Sequence, residues 1–162
     1  MKIHEHIIQI NPAGDSRRLA LTRAQIWAGL VLRAEDPMQF ILGLERGVVL
    51  ERIETDGRIE LARELDFGGF TVRDRVHLRP ETESRTEVAA SERWPASSMT
   101  IRIEEPATGQ FFLRFTYESN EPEPQSEIDT MSLALRRQAY EKADFDTAQT
   151  IRQLAEQGLL DD

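Results

Sequence analysis

Ile59 to Leu78 reads as a single β-hairpin turning at Gly68-Gly69. A Gly-Gly pair between two alternating runs is a two-residue turn signal, with φ > 0 expected at both turn positions. The turn sets the register. Phe67 faces Phe70, Leu65 faces Val72, Arg63 faces Asp74, Leu61 faces Val76 and Ile59 faces Leu78. One face is then apolar except for the opposed Arg63 and Asp74. The other carries Glu60, Glu64, Asp66, Arg73, Arg75 and His77, with Glu64 opposite Arg73. A chain holding this hairpin must bury one face of an antiparallel sheet and wet the other.

The flanking pattern extends the sheet. Ile3 to Asn11 is β-prone and ends in the turn cluster Asn11-Pro12-Ala13-Gly14. Thr22-Arg23-Ala24-Gln25 is a capping box, and Ile26, Trp27, Leu30 and Val31 follow at helical spacing. That helix should stop near Asp36, because Pro37 pushes the preceding residue out of the α region. Met38 to Leu42 allows one more short helical turn. Val48 to Glu54, Arg85 to Ser91, Ser97 to Glu104 and Phe111 to Glu118 read as further strands, with Asp56-Gly57 as a second hairpin turn. A linker with Pro122 and Pro124 precedes a long helix, capped by Ser126-Glu127-Ile128-Asp129 and ended by Gly158. Its expected buried stripe is Ile128, Met131, Leu135, Ala139, Tyr140, Ala143, Thr147, Ile151 and Leu154. The expectation is an α+β fold: one domain over residues 1–162, with a curved seven-stranded antiparallel sheet wrapped around a long C-terminal helix and two short helices after the first strand.

Composition narrows the function. The 162 residues carry a net charge of −9 and no cysteine. Nucleic acid as the main partner is disfavoured, since phosphate binding leans on a basic face. The same balance disfavours a polybasic membrane surface, and no apolar run has the roughly 20 residues a membrane span needs. Disulfides, thiolate metal sites and a cysteine nucleophile are excluded. A cytoplasmic location, no membrane insertion and no cofactor are expected. Monomer and homodimer are both compatible with the sheet edges.

A curved sheet around one helix leaves space where the helix presents small residues. The expected walls are Leu61, Leu65, Val72, Val76, Met99, Ile101, Leu113, Phe115, Leu135 and Ala139, and the expected polar anchors are Arg63, Asp74 and Tyr140.

The chain also resembles a known family. Ile8-Gln9-Ile10-Asn11, Leu21-Thr22-Arg23, Trp27-Ala28-Gly29-Leu30, Arg33-Ala34-Glu35-Asp36-Pro37, Arg63-Glu64-Leu65, Phe67-Gly68-Gly69, Asp74-Arg75-Val76 and Ile103-Glu104-Glu105-Pro106 carry the likeness, together with Tyr140 and Asp144 to Asp146. In these strings the chain is similar to the AtaL-like branch of the SRPBCC, or START-type (Bet v-like), superfamily. That group includes polyketide cyclases and aromatases, plant pathogenesis-related proteins and lipid-transfer domains. The resemblance implies a single-domain helix-grip fold with a hydrophobic pocket but brings no catalytic set with it.

Each candidate residue has a functional and a structural reading. Arg63 offers a guanidinium to a ligand carbonyl, enolate or carboxylate, oriented by Asp74. Equally, the pair pins sheet register. Tyr140 and Tyr117 fall on inward positions and can donate to a ligand, or can be core residues with wet tips. His4 and His6 share a face of the first strand and read as ordinary strand histidines, because a catalytic zinc wants a third protein ligand that the sequence does not supply. Asp144 and Asp146 stand at i, i+2 and do not share a helix face. Three functions compete: binding of a small hydrophobic, lipid- or polyketide-like molecule; a cyclase or dehydratase-like enzyme using the same cavity; and a protein-interaction module without a ligand. Whether the chain is an enzyme is left open.

Overall fold

The computed structural model describes residues 1–11 and 19–160; of the expected cluster Asn11-Pro12-Ala13-Gly14, only Asn11 lies within them. The elements are β1 (Lys2–Gln9), α1 (Arg23–Glu35), a 3-10 turn (Pro37–Gln39), β2 (Arg46–Thr55), β3 (Arg58–Asp66), β4 (Thr71–Arg79), β5 (Glu83–Val88), β6 (Ser97–Ala107), β7 (Gln110–Ser119) and α2 (Glu127–Glu156). The strands form one antiparallel sheet in the order β1-β7-β6-β5-β4-β3-β2. With α2 held against its inner face, this is the helix-grip fold.

The β3–β4 register is the one the Gly pair dictates, from Ile59 opposite Leu78 to Leu65 opposite Val72, with Arg63 opposite Asp74. The turn itself differs from expectation. Gly68 has φ +90, whereas Gly69 does not adopt positive φ. A single left-handed residue at the first turn position is the type II′ solution. The Phe67 amide donates to the Phe70 carbonyl at 2.9 Å, and the Gly68 amide donates to Asp66 Oδ1 at 2.8 Å. Helix ends follow their caps. Thr22 and Gln25 make the reciprocal box at the start of α1. Ser126 accepts from the Asp129 amide, but the Asp129 carboxylate accepts from the Gln125 amide rather than closing a box. β5 ends at Val88, short of the expected Ser91.

The middle of the grip is filled. Ile101, Ile103, Leu113 and Phe115 of the sheet pack with Ile26 and Leu30 of α1 and Ala148 and Ile151 of α2. A smaller cluster joins Ala34, Leu61, Val76 and Leu78. Gly29 lets the two helices close: a Cβ there would stand 2.8 Å from two carbons of the Ile151 side chain. Arg152, buried on α2, donates to the carbonyls of Ile10 and Leu19 and ties the helix to the end of β1.

The phase of α2 corrects the expectation for its first half. Ile128, Met131 and Leu135 are 79%, 66% and 63% exposed, and Ala139 is exposed too. The inward line runs instead through Leu133, Tyr140, Asp144, Thr147, Ala148, Ile151, Arg152 and Ala155. Polar partners set this phase. Arg136 forks onto the Glu121 carboxylate at 2.9 and 2.6 Å, and Arg137 donates to the Ile3 carbonyl at 2.7 Å. Charged contacts to β1 and to the segment after β7 turn the apolar stripe outward.

Candidate functional site

Two adjoining clefts open at the end of the grip past the point where β5 stops. A cleft of about 420 Å³ runs between β5–β7 and α2, lined by Val88, Trp94, Met99, Tyr117, Arg136 and Tyr140 among others. A second cleft of about 560 Å³ adjoins it along Val88, Ser97, Ser98, Glu118 and Ser119, and reaches Arg63 and Asp74. Met99, Tyr117 and Tyr140 are therefore brought together on one cleft, and Arg63 with Asp74 on its neighbour. Leu61, Val76, Ile101, Leu113 and Phe115, expected as cavity walls, are at most 1% exposed in the packed core. Leu65 is buried beside them and Val72 is half-buried; neither lines the clefts. Leu135 and Ala139 line an outer patch of α2 with Ile128 and Met131, which corrects their placement inside the grip.

Arg63 is held on every side. Its Nε and Nη2 donate to the two Asp74 oxygens at 2.9 and 2.7 Å, and its Nη1 donates to the Ala34 carbonyl at 2.9 Å. That carbonyl belongs to the last turn of α1, where a cation meets the negative end of the helix dipole. The pair thus joins the β3–β4 hairpin to α1, with both side chains almost fully buried.

A second polar cluster was not anticipated from sequence. Asp144 of α2 is 1% exposed. Its Oδ1 accepts a short hydrogen bond from the Tyr117 hydroxyl of β7, and its Oδ2 lies 2.6 Å from His6 Nε2 of β1. Tyr117 stacks on Tyr140 of α2, ring centres 4.1 Å apart and 9° from parallel, and the two rings form part of the cleft wall. The β1–β7 register slips between Lys2 and His4, so Ile3 is an extra residue and both it and His4 turn inward. His4 then packs its ring 5.2 Å from that of His6 and 6.3 Å from that of Tyr140.

The cluster is under electrostatic tension. Burial pushes the Asp144 carboxyl above the usual carboxylate range, against the pull of hydrogen bonds from Tyr117 and His6 and the charges of His6 and Arg33. Burial and the Asp144 charge push the Tyr117 phenol up. Burial, and then the like charge of Arg63, pull Arg33 down. Among the described residues, two buried side-chain nitrogens make no hydrogen bond: Arg33 Nε and His4 Nε2, the latter 3.5 Å from a Glu141 oxygen. Among the described residues no group of three or more metal-ligating side chains is present.

These features have a family context. Residues 5–158 match the family described as AtaL, Acetylaranotin biosynthesis cluster protein L. The chain belongs to the AtaL family. No curated protein sequence matches it. Solved structures share this family member's fold at low identity. The di-domain aromatase/cyclase StfQ from the steffimycin biosynthetic pathway matches with TM-score 0.66 at 11% identity, over 95% of this chain and 50% of that one, so the chain spans half of the di-domain protein. The Zhui aromatase/cyclase from Streptomyces sp. R1128 matches with TM-score 0.57 at 15% identity, over 94% and 92% of the two chains. A START superfamily protein from Mycobacterium smegmatis matches with TM-score 0.58 at 14% identity, over 95% and 97%. No described helix is long and apolar enough to cross a membrane.

Proposed function

We propose that this AtaL-family chain binds a small, largely apolar molecule in the cleft between β5–β7 and the first half of α2. The observation that carries the reading is the cleft itself. Its volume of about 420 Å³ falls in the range of small-molecule sites, roughly 300–1,000 Å³, and it joins apolar walls to a few convergent polar groups. Val88, Trp94 and Met99 supply apolar surface. Arg136 supplies polarity at the helix side, and the stacked rings of Tyr117 and Tyr140 complete the wall. The fold shared with proteins described as aromatase/cyclases and START proteins supports the same reading, as a fold-level analogy.

The test uses 1-anilinonaphthalene-8-sulfonate as a fluorescent probe, with native mass spectrometry of the purified protein to find any retained molecule. Met99→Trp fills the cleft from its wall. Probe affinity is expected to fall by about tenfold or more, roughly 1.4 kcal/mol, with the circular dichroism spectrum unchanged. Probe binding that the substitution leaves intact would place the apolar site elsewhere and end the proposal. A second reading, an enzyme using the same cleft, is favoured by the buried Asp144 cluster at its wall.

A further inference from the structure

Arginines that face the grip are held by partners. Arg63 forks onto Asp74 and reaches the Ala34 carbonyl, Arg136 forks onto Glu121, and Arg152 donates to the carbonyls of Ile10 and Leu19. Arg33 of α1 departs from this pattern. Among the described residues no hydrogen bond or ion pair engages its side chain. It follows Leu30 by three residues and Gly29 by four, the α1 residues that pack on the core and on Ile151 of α2, so it projects from the same helix face. Its Nε is fully covered. Its two Nη atoms are not, and Arg33 as a whole is half-buried. The groups that reach it electrostatically are Arg63 and Asp74 of the larger cleft, Tyr117 of the smaller one, and Asp144 behind Tyr117.

None of those groups neutralises Arg33. Arg63 and Asp74 cancel each other through two hydrogen bonds, and Asp144 is committed to Tyr117 and His6. Burial also draws the Asp144 carboxyl toward its protonated form, which reduces the negative charge it offers. A guanidinium with an enclosed stem and an open planar fork is the group that takes a carboxylate through two parallel hydrogen bonds. Between α1, α2 and the sheet, that attraction is screened less than at the surface.

We propose that Arg33 anchors the acid group of the molecule in the cleft, and that this molecule is an apolar carboxylate. Its charged end turns inward to the Arg33 fork, and its apolar body lies among Val88, Trp94 and Met99. The inference rests on the cleft being a ligand site and names the class of molecule that site takes. The chain's net charge of −9 disfavours anions at long range, so preference for a carboxylate falls to a local unmatched cation. Arg33 is a binding residue here; no bond in the ligand is made or broken.

The experiment titrates the full chain with 2-naphthoate and with its uncharged counterpart 2-naphthamide, read by calorimetry. Wild type is expected to bind the carboxylate about tenfold or more tighter than the amide, the scale of a hydrogen bond to a charged group. Arg33→Gln is expected to erase that preference: the carboxylate weakens by about tenfold or more and the amide by less than about threefold. Arg33→Lys, which keeps the charge and loses the fork, should retain part of the preference. Met99→Trp, which fills the cleft without touching the charge, should weaken both compounds alike. Replacing Arg33 strands no partner, so Arg33→Gln is expected to unfold at a Tm no lower than wild type. A lower Tm with both compounds weakened alike would mark Arg33 as structural and overturn the anchor. Equal affinity of wild type for the two compounds, or a preference that survives Arg33→Gln, also overturns it and leaves the cleft standing as an apolar site. If wild type binds neither compound the anchor falls, and the cleft reading is decided by the 1-anilinonaphthalene-8-sulfonate measurement alone.

Discussion

Arg63 and Asp144 are both buried charges, yet they behave differently. Arg63 has three of its N–H groups engaged by Asp74 and the Ala34 carbonyl. Removing one partner of such a pair leaves the other buried and uncompensated, which costs about 3–5 kcal/mol. Arg63→Met is therefore expected to lower the chemical-denaturation stability by about that much, and Arg63→Met with Asp74→Leu to recover most of it. A single variant as stable as wild type would show that the pair is not a structural tie. Asp144 is held in an unfavourable state instead. Its folded carboxyl binds a proton more tightly than the unfolded one, because burial outweighs its hydrogen bonds. The stability it contributes is present below the unfolded value near 3.9 and is lost as pH rises through the raised folded value. Asp144→Asn removes that loss while keeping a group able to accept from Tyr117. The variant's Tm, measured against pH, is expected to pull ahead of wild type above about pH 4 and then hold its lead, by about 2–4 °C for each kcal/mol. A lead that shrinks with rising pH would contradict the assignment.

The elements differ in how far their sequence announces them. The β3–β4 hairpin was legible to the residue, because a two-residue turn and period-two alternation leave one register. The existence and length of α2 were legible from its caps and its three-and-four spacing. Its phase was not. Ile128, Met131 and Leu135 form the more apolar stripe, yet Leu133, Asp144, Thr147 and Arg152 face inward, because their polar groups or neighbours find partners on β1 and β7 far away in sequence. The Asp144 cluster escaped for the same reason: His6 and Asp144 lie 138 residues apart. The available signal was that Asp144 sits one turn beyond Tyr140 and one turn before Ala148, while His4 and His6 share the inward parity of Ile8 and Ile10. The helix–helix contact carries its own prediction. Gly29→Ala places a methyl 2.8 Å from Ile151, a β-branched side chain that is fully buried. Overpacking costs about 1–3 kcal/mol and the gain in helix propensity returns about 1. A net Tm loss of a few degrees is expected, relieved by adding Ile151→Val; a gain in Tm would mean that α1 shifts freely on α2.

The molecule as a whole is stiff at one end and open at the other. From Asp144 to Ala155, α2 buries six residues against the sheet and α1; from Glu127 to Ala143 it buries only Leu133. The open end holds both clefts, the end of the short strand β5, and an aromatic group in which Phe70 of the β3–β4 hairpin meets Trp94 edge-on at 5.6 Å under Arg93. Trp94 also lines the smaller cleft, so the hairpin tip and the cleft rim share a side chain. Local opening free energy follows buried contact, so amide exchange should be fast in the first half of α2 and slow after Asp144. A molecule seated in the cleft would touch Trp94, Met99, Tyr117 and Tyr140 at once, bridging that half-helix to the sheet. Saturation with 1-anilinonaphthalene-8-sulfonate is then expected to slow exchange of the amides from Leu133 to Tyr140 and of those around Trp94 by about tenfold, leaving Ala148 to Ala155 unchanged. Protection spread evenly over α2 would indicate a global rise in stability rather than closure at the open end. Protection confined to Ile128, Met131 and Leu135 would indicate that the probe lies on the outer stripe of the helix, outside the grip.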